Sequence, residues 1–315
     1  MNVFVTGGAG FVGSHMAARL VADGHRVTAY DNLSLGRREF LDGPVGQGGC
    51  TLIEADLLDR GALTDAMAGH DLVIHLAANS DIFRGLEDPE LDLRQGILAT
   101  FNVLEAMRAH AIRRLIFSSS SVVYGEATVV PTPEDYGLLL PISLYGASKL
   151  ACEGLISAYG HNAGVRSWIF RFGNIVGPHA THGVLLDFVR KLRADPACLE
   201  VLGDGRQAKP YLHVSDCVDG MLYGFSHAAG AVNVLNLTAD DVIDASRIAQ
   251  IVIETMGLEG AEVRYTGGDR GWPGDVPRVA LCSKRMTALG WRARLTSQQA
   301  VERAAGEIVA QETGR

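Results

Sequence analysis

Short apolar runs alternate with stretches of helical periodicity through the first half of the chain. Six of these runs predict strands, because they are short and rich in β-branched residues: 2–5, 26–30, 51–54, 72–76, 114–118 and 167–171. Runs 73–76 and 115–117 are almost entirely apolar, as in strands buried on both faces. This repetition predicts a parallel sheet covered by helices on both faces, with ligands bound at its carboxyl edge.

The regular alternation fades after about Phe172, where turn-forming glycine, proline and aspartate residues become frequent. We therefore predict an α/β fold with a doubly wound domain over 1–173 and a smaller C-terminal substrate-binding lobe over 174–315. The run 211–214 could return to the main sheet, so that residues from about 209 to 228 rejoin the first domain. Helical periodicity predicts helices at 245–256 and 297–311.

Composition narrows the possible classes of function. The 315 residues include 28 basic and 36 acidic side chains, and the net charge of −8 leaves no basic stripe for nucleic acid. No apolar run reaches the roughly 18 to 20 residues of a membrane span, and residues 1–6 already indicate a strand rather than a signal peptide. Five scattered cysteines favour a reducing compartment. We expect a soluble cytoplasmic protein that binds neither nucleic acid nor membranes.

A glycine-rich turn follows the first predicted strand and opens a helix. Gly7, Gly10 and Gly13 have GxxGxxG spacing. Glycine permits the tight turn and the close approach of the backbone to a pyrophosphate, which the helix N-terminus attracts. Asp31 ends the second strand 18 residues after Gly13, where a carboxylate accepts hydrogen bonds from an adenosine ribose. This combination predicts a Rossmann-type site that prefers NAD to NADP, because Asp31 would repel a 2′-phosphate.

Neighbouring residues add further candidates, some with two interpretations. Arg37-Arg38 are either solvated loop charges or phosphate ligands. Asp56-Leu57 follows the third strand, where the carboxylate either meets the adenine amino group or caps a helix. The small residues of Leu76-Ala77-Ala78 leave room for a flat ligand at the end of the fourth strand. His75 lies within an apolar run and is predicted to pack in the core.

Tyr145 and Lys149 lie four residues apart in a predicted helix and therefore share one face. A phenol with a pKa of about 10 is a poor base at neutral pH. A nearby ammonium and a positively charged nicotinamide ring would favour the phenolate, and lowering the pKa by about three units takes about 4 kcal/mol. Ser120, in the serine run after the fifth strand, could hold a substrate alcohol against the phenol. We predict Ser120, Tyr145 and Lys149 as the catalytic residues.

Taken together, these motifs resemble those of the extended short-chain dehydrogenases/reductases, specifically the NAD-dependent nucleotide-sugar epimerase/dehydratase family. The resemblance is carried by residues 6–13, 31–33 and 117–125 and by the Tyr145/Lys149 pair. It continues nearly to the end of the chain, through 171–174, 211–214 and 273–277. It implies NAD as cofactor, a UDP-sugar as substrate, and a homodimer built from helices 91–110 and 147–159.

The resemblance also implies specific binding residues. NAD would contact the glycine turn and the strand ends, at Gly7, Gly10, Phe11, Val12, Asp31, Asn32, Ser34, Gly36, Asp56, Leu57, Leu76, Ala77, Ala78, Ser118, Tyr145, Lys149 and Phe172. The nucleotide sugar would contact Ser120, Ser121, Tyr145, Asn174, Gly183, Val184, Phe188, Arg206, Lys209, Arg270 and Asp275. Arg206 and Lys209 are alternative diphosphate ligands. Arg270 and Arg278 are alternatives for an arginine that relatives carry at the position of Trp272.

The family contains several reactions, and two residues help to choose among them. Dehydratases carry Asp-Glu where this chain has Ser121-Val122, and decarboxylases acting on UDP-glucuronate keep glutamate at the second position. The resemblance therefore implies a UDP-hexose 4-epimerase, an isomerase that forms a transient 4-keto sugar. The alternatives are a nucleotide-sugar dehydrogenase or reductase with net NAD(P) turnover, and a non-catalytic NAD-binding regulatory protein.

The identity of the sugar stays open at this point. In relatives, the residue at the position of Val279 often decides whether an N-acetyl group fits beside the sugar. Valine is small, so an N-acetylated hexose remains a possible substrate. Ser121 could receive a C6 carboxylate, although loop 179–182 lacks an arginine often found in glucuronate epimerases. UDP-glucose/UDP-galactose and UDP-glucuronate/UDP-galacturonate are the main alternatives. No metal site is expected, because His179 and His182 have no cysteine or acid at ligand spacing.

Overall fold

All six strands expected in the first half of the chain form. The structure, a computed structural model, describes residues 1–80, 82–271, 276 and 278–314. Its strands, numbered in chain order, are β1 (Asn2–Thr6), β2 (Arg26–Asp31), β3 (Cys50–Glu54), β4 (Leu72–His75), β5 (Arg114–Ser120), β6 (Arg166–Phe172), β7 (Asn174–Val176), β8 (Cys198–Val201), β9 (Ala208–Lys209), β10 (Tyr211–His213), β11 (Val232–Leu237), β12 (Ile243–Asp244) and β13 (Glu262–Tyr265).

Helices separate most of these strands. They are α1 (Phe11–Ala22), α2 (Asp42–Gly46), α3 (Arg60–Met67), α4 (Ile82–Glu87), α5 (Pro89–Asp92), α6 (Ala99–Ala109), α7 (Leu144–Ala163), α8 (Val184–Ala194), α9 (Val214–His227), α10 (Ala245–Met256), α11 (Lys284–Leu289) and α12 (Ser297–Thr313). Short 3₁₀ helices occupy Arg38–Leu41 and Ser121–Tyr124, and a π-helical segment, Leu93–Leu98, joins α5 to α6. The two helices predicted near the C-terminus correspond to α10 and α12.

The central sheet contains seven strands in the order β3-β2-β1-β4-β5-β6-β11. The pairs that β1 forms with β2 and β4 are parallel, as are the pairs of β2 with β3 and of β4 with β5. The strand order reverses between β1 and β4, and such a switch point opens a crevice at the carboxyl ends of the strands. The predicted Rossmann-type sheet is confirmed.

The prediction that run 211–214 could return to the main sheet is wrong. β10 pairs instead with β7 in a separate two-stranded sheet. The Tyr211 N–H donates to the Ser297 hydroxyl at 3.0 Å, and His213 Nε2 lies 2.8 Å from Glu307 Oε2, so contacts with α12 hold β10 in place. The seventh strand of the main sheet is β11, which lies further along the chain.

The chain divides into two compact units. Unit 1 comprises Met1–Gly125, Gly137–Arg171 and Met221–Leu235. Unit 2 comprises Glu126–Tyr136, Phe172–Gly220 and Asn236–Arg315. The main division lies close to the predicted one after residue 173. The segment that rejoins unit 1 is later than the predicted 209–228, because β11 rather than β10 enters the main sheet.

Each unit has its own apolar core. In unit 1, side chains of β1, β4 and β5 pack against α6 and α7, with members such as Phe4, Leu115, Val103 and Ile156. In unit 2, the core consists mainly of the facing sides of α8, α10 and α12. Burying one such side chain stabilises the fold by about 1.5 to 3 kcal/mol. Each core holds together the helices and strands of its own unit.

Candidate active site

The glycine turn packs tightly against the end of β4. Gly7 has a φ of +65°, and a Cβ there would lie 2.8 Å from the Ala77 backbone nitrogen. A Cβ at Gly13 would overlap the Gly7 carbonyl oxygen. Gly10 is the N-cap of α1 and supplies no side chain, so the first turn, with Phe11 and Val12, begins with free N–H groups. Side chains are therefore excluded where a pyrophosphate approaches the backbone.

Asp31 provides the test of whether the turn fits NAD. Its carboxylate, only 8% exposed, ends β2 and accepts hydrogen bonds from the Ala9 N–H at 3.0 Å and the Leu33 N–H at 2.8 Å. Burial raises the pKa of Asp31, and the two N–H groups oppose that rise. A Cβ at Gly36 would lie 2.9 Å from Oδ2, so glycine keeps the carboxylate approachable. The Asp31 carboxylate fits the ribose hydroxyls of NAD, and the N-terminus of α1 fits its pyrophosphate.

A polar cluster extends this site towards β3. Asp56 accepts hydrogen bonds from the Asn32 amide and the Leu58 N–H, both at 2.9 Å, and Asn32 Oδ1 accepts one from the Ser34 N–H at 3.1 Å. Helix α3 is capped by Asp59, so the interpretation of Asp56 as its cap is wrong. The Asp56 side chain instead fixes Asn32, directly after Asp31.

Three neighbouring side chains have other partners. Leu57 is 6% exposed and its side chain packs in the core of unit 1, while its contact with NAD stays a prediction. Arg38 forms an exposed ion pair with Glu54 at 2.5 Å, and the Arg37 guanidinium lies 5.8 Å from the Phe40 ring centre. These contacts favour local roles for both arginines over recognition of a 2′-phosphate.

His75 is a core residue, as predicted. It is 1% exposed, and its ring nitrogens lie 2.6 Å from the Thr6 hydroxyl and 3.0 Å from the Thr100 hydroxyl. Burial, with a smaller contribution from the Lys149 charge, lowers the pKa of His75 to about 3. The residues that follow it, Leu76-Ala77-Ala78, are half-buried at the switch point.

Helix α7 carries the predicted catalytic pair. Ser143 caps its N-terminus by accepting a hydrogen bond from the Gly146 N–H at 3.1 Å, which places Tyr145 in the first turn. Lys149, 3% exposed, lies one turn later and donates from Nζ to the Ser118 carbonyl oxygen at 2.7 Å. Its Nζ is 5.7 Å from the centre of the Tyr145 ring.

The Tyr145 phenol lies near the end of β5, where the Ser120 hydroxyl acts to lower its pKa. The Ser120 oxygen is 3.4 Å from the Val122 N–H, which helps to fix the serine at the start of the short 3₁₀ helix. Ser120, Tyr145 and Lys149 are therefore brought together as predicted, within unit 1 and at the carboxyl edge of its sheet.

The electrostatics of this trio differ from the expected phenolate. Burial raises the pKa of Tyr145 and the Asp92 carboxylate adds to the rise, whereas the Ser120 hydroxyl lowers it. Burial also lowers the pKa of Lys149 to about 8, against the opposing effects of Cys152, Glu153 and Asp92. The protein's own groups thus favour the neutral phenol at neutral pH. The positive charge of a bound nicotinamide ring would lower the pKa of Tyr145 and so favour the phenolate.

The comparison with known families agrees with this arrangement. Residues 3–237 match the model of the NAD dependent epimerase/dehydratase family, which is more than half of the chain. The chain belongs to this family. The family expected from the motifs is confirmed, and NAD, expected from the glycine turn and Asp31, is the cofactor in the family's description.

Members of the family with known names are similar over nearly the whole chain. UDP-glucose 4-epimerase of Corynebacterium glutamicum is 31% identical over 310 residues, covering 92% of this chain and 90% of the relative. A crystal structure of UDP-galactose 4-epimerase is 39% identical, with a TM-score of 0.88 and 99% of each chain covered. The structure of UDP-glucose 4-epimerase from Thermotoga maritima with UDP-glucose is 26% identical, with a TM-score of 0.89 and complete coverage of both chains.

The remaining family-implied positions are divided between the units. Ser121, half-buried, begins the 3₁₀ helix of unit 1. In unit 2, Phe172 is half-buried at the end of β6, the Asn174 amide donates to the Pro210 carbonyl at 3.2 Å, and Gly183, with a φ of +110°, precedes Val184 at the start of α8. Asp275 and Trp272 lie outside the described residues.

Phe188 lies in the interior of unit 2. Its side chain is 3% exposed and belongs to the core, because it lies on the apolar face that α8 turns towards α10 and α12. Its contact with the nucleotide sugar stays a prediction.

The cations of unit 2 differ in their surroundings. Arg206 is exposed in a turn, whereas Lys209 is half-buried on β9. Arg270 forms an ion pair with Glu126 at 2.5 Å, and Arg278 is exposed beside a backbone bridge to Ala208. Lys209 is thus less exposed than Arg206 and Arg278 among these cations.

The sequence did not reveal a buried network of polar side chains that joins α7 to β5 and β6. Glu153 forms an ion pair with Arg171 at 2.7 Å and accepts a hydrogen bond from the Ser119 hydroxyl at 2.5 Å. The signal that could have identified Glu153 is its spacing, because it lies four residues after Lys149 and eight after Tyr145, on the same helix face. Its partner on β6 had no comparable signal.

Other features of the described residues concern metals, thiols and membranes. Within them, no three histidine, cysteine or acidic side chains are grouped as a metal site requires. All five cysteines are free thiols. None of the helices in the described ranges has the length and apolar character needed to cross a membrane.

Proposed function

We propose that this protein catalyses the NAD-dependent 4-epimerisation of a UDP-hexose through a transient 4-keto sugar. The observation that carries the proposal is the anchoring of Lys149 Nζ to the Ser118 carbonyl oxygen at 2.7 Å, with the centre of the Tyr145 ring 5.7 Å from the same nitrogen, at the strand end that carries Ser120. The named relatives, which are UDP-glucose and UDP-galactose 4-epimerases, support it.

The chain's own residues have distinct tasks in this reaction. Tyr145 takes the proton from the sugar C4 hydroxyl and later returns one to the C4 oxygen. Ser120 holds that oxygen against the phenol by a hydrogen bond from its hydroxyl. Lys149 supplies a fixed positive charge that stabilises the phenolate. The glycine turn and Asp31 would hold NAD, which would supply reversible hydride transfer at C4, so the overall reaction would be redox-neutral.

The 3₁₀ helix after Ser120 supports epimerisation over dehydration. Expelling water from the sugar needs an acid and a base beside the ring. Ser121 and Val122 occupy the positions where the dehydratases of the family carry carboxylic acids, and neither side chain can transfer that proton. The 4-keto sugar has no elimination route through these side chains, so rotation and return of the hydride remain.

Within this activity we propose UDP-glucose and UDP-galactose as the substrate pair, with UDP-glucuronate and UDP-galacturonate as the second candidate pair. The similar relatives, which are UDP-glucose and UDP-galactose 4-epimerases, support the first pair, whereas Ser121 is the residue that favours a C6 carboxylate. In unit 2 we propose that Asn174, Gly183 and Val184 face the nucleotide sugar. We propose Lys209 for the diphosphate, ahead of Arg206, which is more exposed to solvent, and of Arg270, which pairs with Glu126.

A substrate screen without added cofactor tests the proposal. The purified protein is incubated separately with UDP-galactose, UDP-glucuronate and UDP-N-acetylglucosamine, and the products are separated by anion-exchange chromatography. Conversion of one substrate to its C4 epimer without accumulation of NADH is the expected result. Net NADH formation would indicate a dehydrogenase instead, and unchanged substrates in every reaction would indicate the regulatory alternative.

We also propose that the protein forms a homodimer through the helices at 91–110 and 147–159. Leu93 and Leu98 are 55% and 45% exposed, and Ala147 and Gly154 of α7 are exposed as well. Apolar and small side chains on neighbouring helices suit close packing against a second copy. Light scattering of the eluted protein should give twice the monomer mass, with Leu98→Lys monomeric. A monomeric wild-type protein would contradict the proposal.

A further inference from the structure

Helix α7 contacts the end of β5 through three residues spaced by one turn each. Lys149 Nζ donates to the Ser118 carbonyl oxygen at 2.7 Å, and Glu153 accepts from the Ser119 hydroxyl at 2.5 Å. Tyr145 lies close enough to Ser120 for the serine hydroxyl to lower its pKa. Three consecutive serines therefore meet one face of the helix. The contacts of Tyr145 and Lys149 belong to the catalytic trio, and that of Glu153 has no part in the proposed proton transfer.

Besides its contact with Ser119, the Glu153 carboxylate accepts two hydrogen bonds from Arg171. Arg171 on β6 donates from Nε to Oε1 at 3.0 Å and from Nη2 to Oε2 at 2.7 Å. The two side chains are only 8% and 5% exposed. A buried ion pair is costly to desolvate and is weak evidence of a stabilising role, whereas in some proteins such pairs specify one structure. This pair joins α7 to two neighbouring strands.

The same pair also contacts the segment that follows Ser120. The Arg171 guanidinium lies 4.7 Å from the centre of the Tyr124 ring and hydrogen-bonds to the Tyr124 side chain. Tyr124 ends the 3₁₀ helix that begins at Ser121. Ser119, immediately before Ser120, bonds to Glu153. The Glu153–Arg171 pair thus holds the chain on both sides of the catalytic serine.

We propose that Glu153 and Arg171 are positioning residues, which set the register between α7 and the end of β5 and thereby keep the Ser120 hydroxyl against the Tyr145 phenol. Glu153 contacts the hydroxyl of Ser119 rather than that of Ser120, so it acts through the backbone and not on the substrate. This inference rests on the proposed epimerase function, because its catalytic readout is epimerase turnover.

The test compares Glu153→Gln and Arg171→Lys with a matched control in unit 2. Asp216 is a comparable buried carboxylate, 2% exposed and 2.8 Å from Arg294 Nε, in a unit that contains none of the catalytic trio. For both positioning variants we expect kcat to fall by about 10- to 100-fold with KM nearly unchanged, because small displacements of reacting groups have effects of this size. Asp216→Asn should lower the melting temperature and keep kcat.

The pH profile and a crystal structure supply readouts that a merely structural role would not change. The Ser120 hydroxyl lowers the pKa of Tyr145, so loss of this contact should move the rise of kcat to higher pH in Glu153→Gln but not in Asp216→Asn. Crystal structures should show a longer distance between the Ser120 and Tyr145 side-chain oxygens in Glu153→Gln than in the wild type, and an unchanged distance in Asp216→Asn. An unchanged distance in Glu153→Gln would overturn the proposal even if the wild type had no epimerase activity, an outcome that would separately refute the proposed function.

Ser119→Ala keeps the inference testable if the charge variants do not fold. It deletes one hydroxyl and leaves the ion pair in place. We expect a smaller loss of kcat than in Glu153→Gln, and no further loss when both changes are combined, because both act on the same contact. Additive effects, or a kcat equal to that of the wild type in Ser119→Ala, would overturn the proposed route through Ser119.

Discussion

Both units bury carboxylates against arginines, but they use these pairs differently. In unit 1, Glu153 and Arg171 lie beneath the strand end that carries Ser120. In unit 2, Asp216 accepts hydrogen bonds from Arg294 Nε and from the N–H groups of Arg294 and Leu295, and so anchors the segment that leads into α12. The first pair supports a hydroxyl that reacts in the proposed mechanism, and the second fixes a loop.

The difference between the units shows that burial of charge alone does not identify a reaction site. What distinguishes unit 1 is the position of its polar groups at the carboxyl edge of a parallel sheet, beside the switch point between β1 and β4. The candidate cations of unit 2 are exposed, half-buried or already paired. We therefore expect changes in unit 1 to act on turnover and cofactor binding, and changes in unit 2 to act on substrate affinity.

The largest effect expected from this comparison is that of Tyr145→Phe. Removing the phenol hydroxyl should lower kcat about 1,000-fold, because general acid–base groups contribute between about 100- and 10,000-fold. NAD binding should persist, since the glycine turn and Asp31 are untouched. Steady-state kinetics with UDP-galactose measure the loss. Tyr136→Phe, which removes an exposed hydroxyl bonded to Thr128 in unit 2, is the control and should keep full activity.

A Tyr145→Phe variant with wild-type kcat would remove the main distinction between the two units. It would mean that the Ser120–Tyr145 contact is structural and that the bound nucleotide serves another purpose. The regulatory alternative predicts that outcome, so this variant separates an enzyme from a non-catalytic NAD-binding protein.

Asp31→Asn tests the cofactor side of unit 1 and should have the next largest effect. The amide keeps the shape of the side chain but loses its charge, and one of its bonds to the Ala9 and Leu33 N–H groups. We expect NADH affinity to fall by about 10- to 100-fold, in line with a lost charge-assisted hydrogen bond. Preference for NADH over NADPH should also narrow, because the repulsion of a 2′-phosphate disappears.

Fluorescence titration with NADH and NADPH measures both quantities. Glu54→Gln is the matched control, since Glu54 ends the neighbouring strand β3 but forms an exposed ion pair with Arg38. It should leave both affinities unchanged. Equal changes of NADH and NADPH affinity in Asp31→Asn and Glu54→Gln would contradict a direct contact between Asp31 and the ribose. They would indicate that Asp31 acts only by adding negative charge to this edge of the sheet.

These two predictions concern positions that sequence patterns identify well. Strands β1 to β6 were predicted to within two residues at each end, because their apolar, β-branched runs are short and clearly bounded. Tyr145 and Lys149 could be paired because a four-residue spacing fixes one helix face. Asp31 followed from its place at a strand end. In each case the decisive geometry is local.

Where partners lie far apart along the chain, the sequence was less informative. Run 211–214 was apolar enough for the main sheet, but Ser297 and Glu307 hold β10 elsewhere. Packing between α8, α10 and α12 buries Phe188, whose contact with the nucleotide sugar stays a prediction. Glu153 was overlooked because Arg171 comes from another strand. The neutral phenol depends on burial, which no local spacing reports.

The buried His75 of unit 1 should make the free energy of unfolding depend on pH, an effect of intermediate size among these predictions. Its folded pKa of about 3 lies below the value of 6.5 for an unperturbed histidine, so the unfolded chain binds the extra proton. The contribution of neutral His75 is complete above pH 6.5 and is lost as the pH falls towards 3. Between pH 7 and pH 5, the free energy of unfolding should fall by about 2 kcal/mol from this group.

Urea unfolding of His75→Gln at the two pH values measures that contribution. The variant should be less stable at pH 7, because the contacts with Thr6 and Thr100 are disturbed, but its stability should fall less towards pH 5. Thr100→Val is the control, since it removes one hydrogen bond and keeps the imidazole. It should be destabilised with the wild-type pH dependence. An equal acid slope in His75→Gln and the wild type would contradict the assignment.

The smallest expected effect belongs to unit 2 and distinguishes its cations. Lys209 is half-buried on β9, whereas Arg206 is exposed in the preceding turn. A partly exposed ion pair contributes up to about 1 kcal/mol, so Lys209→Met should raise the KM for the UDP-sugar about fivefold and keep kcat. Arg206→Met should change KM less, because solvent screens its charge. A fall in kcat with Lys209→Met would break the division between the units, since a residue outside unit 1 would then control turnover.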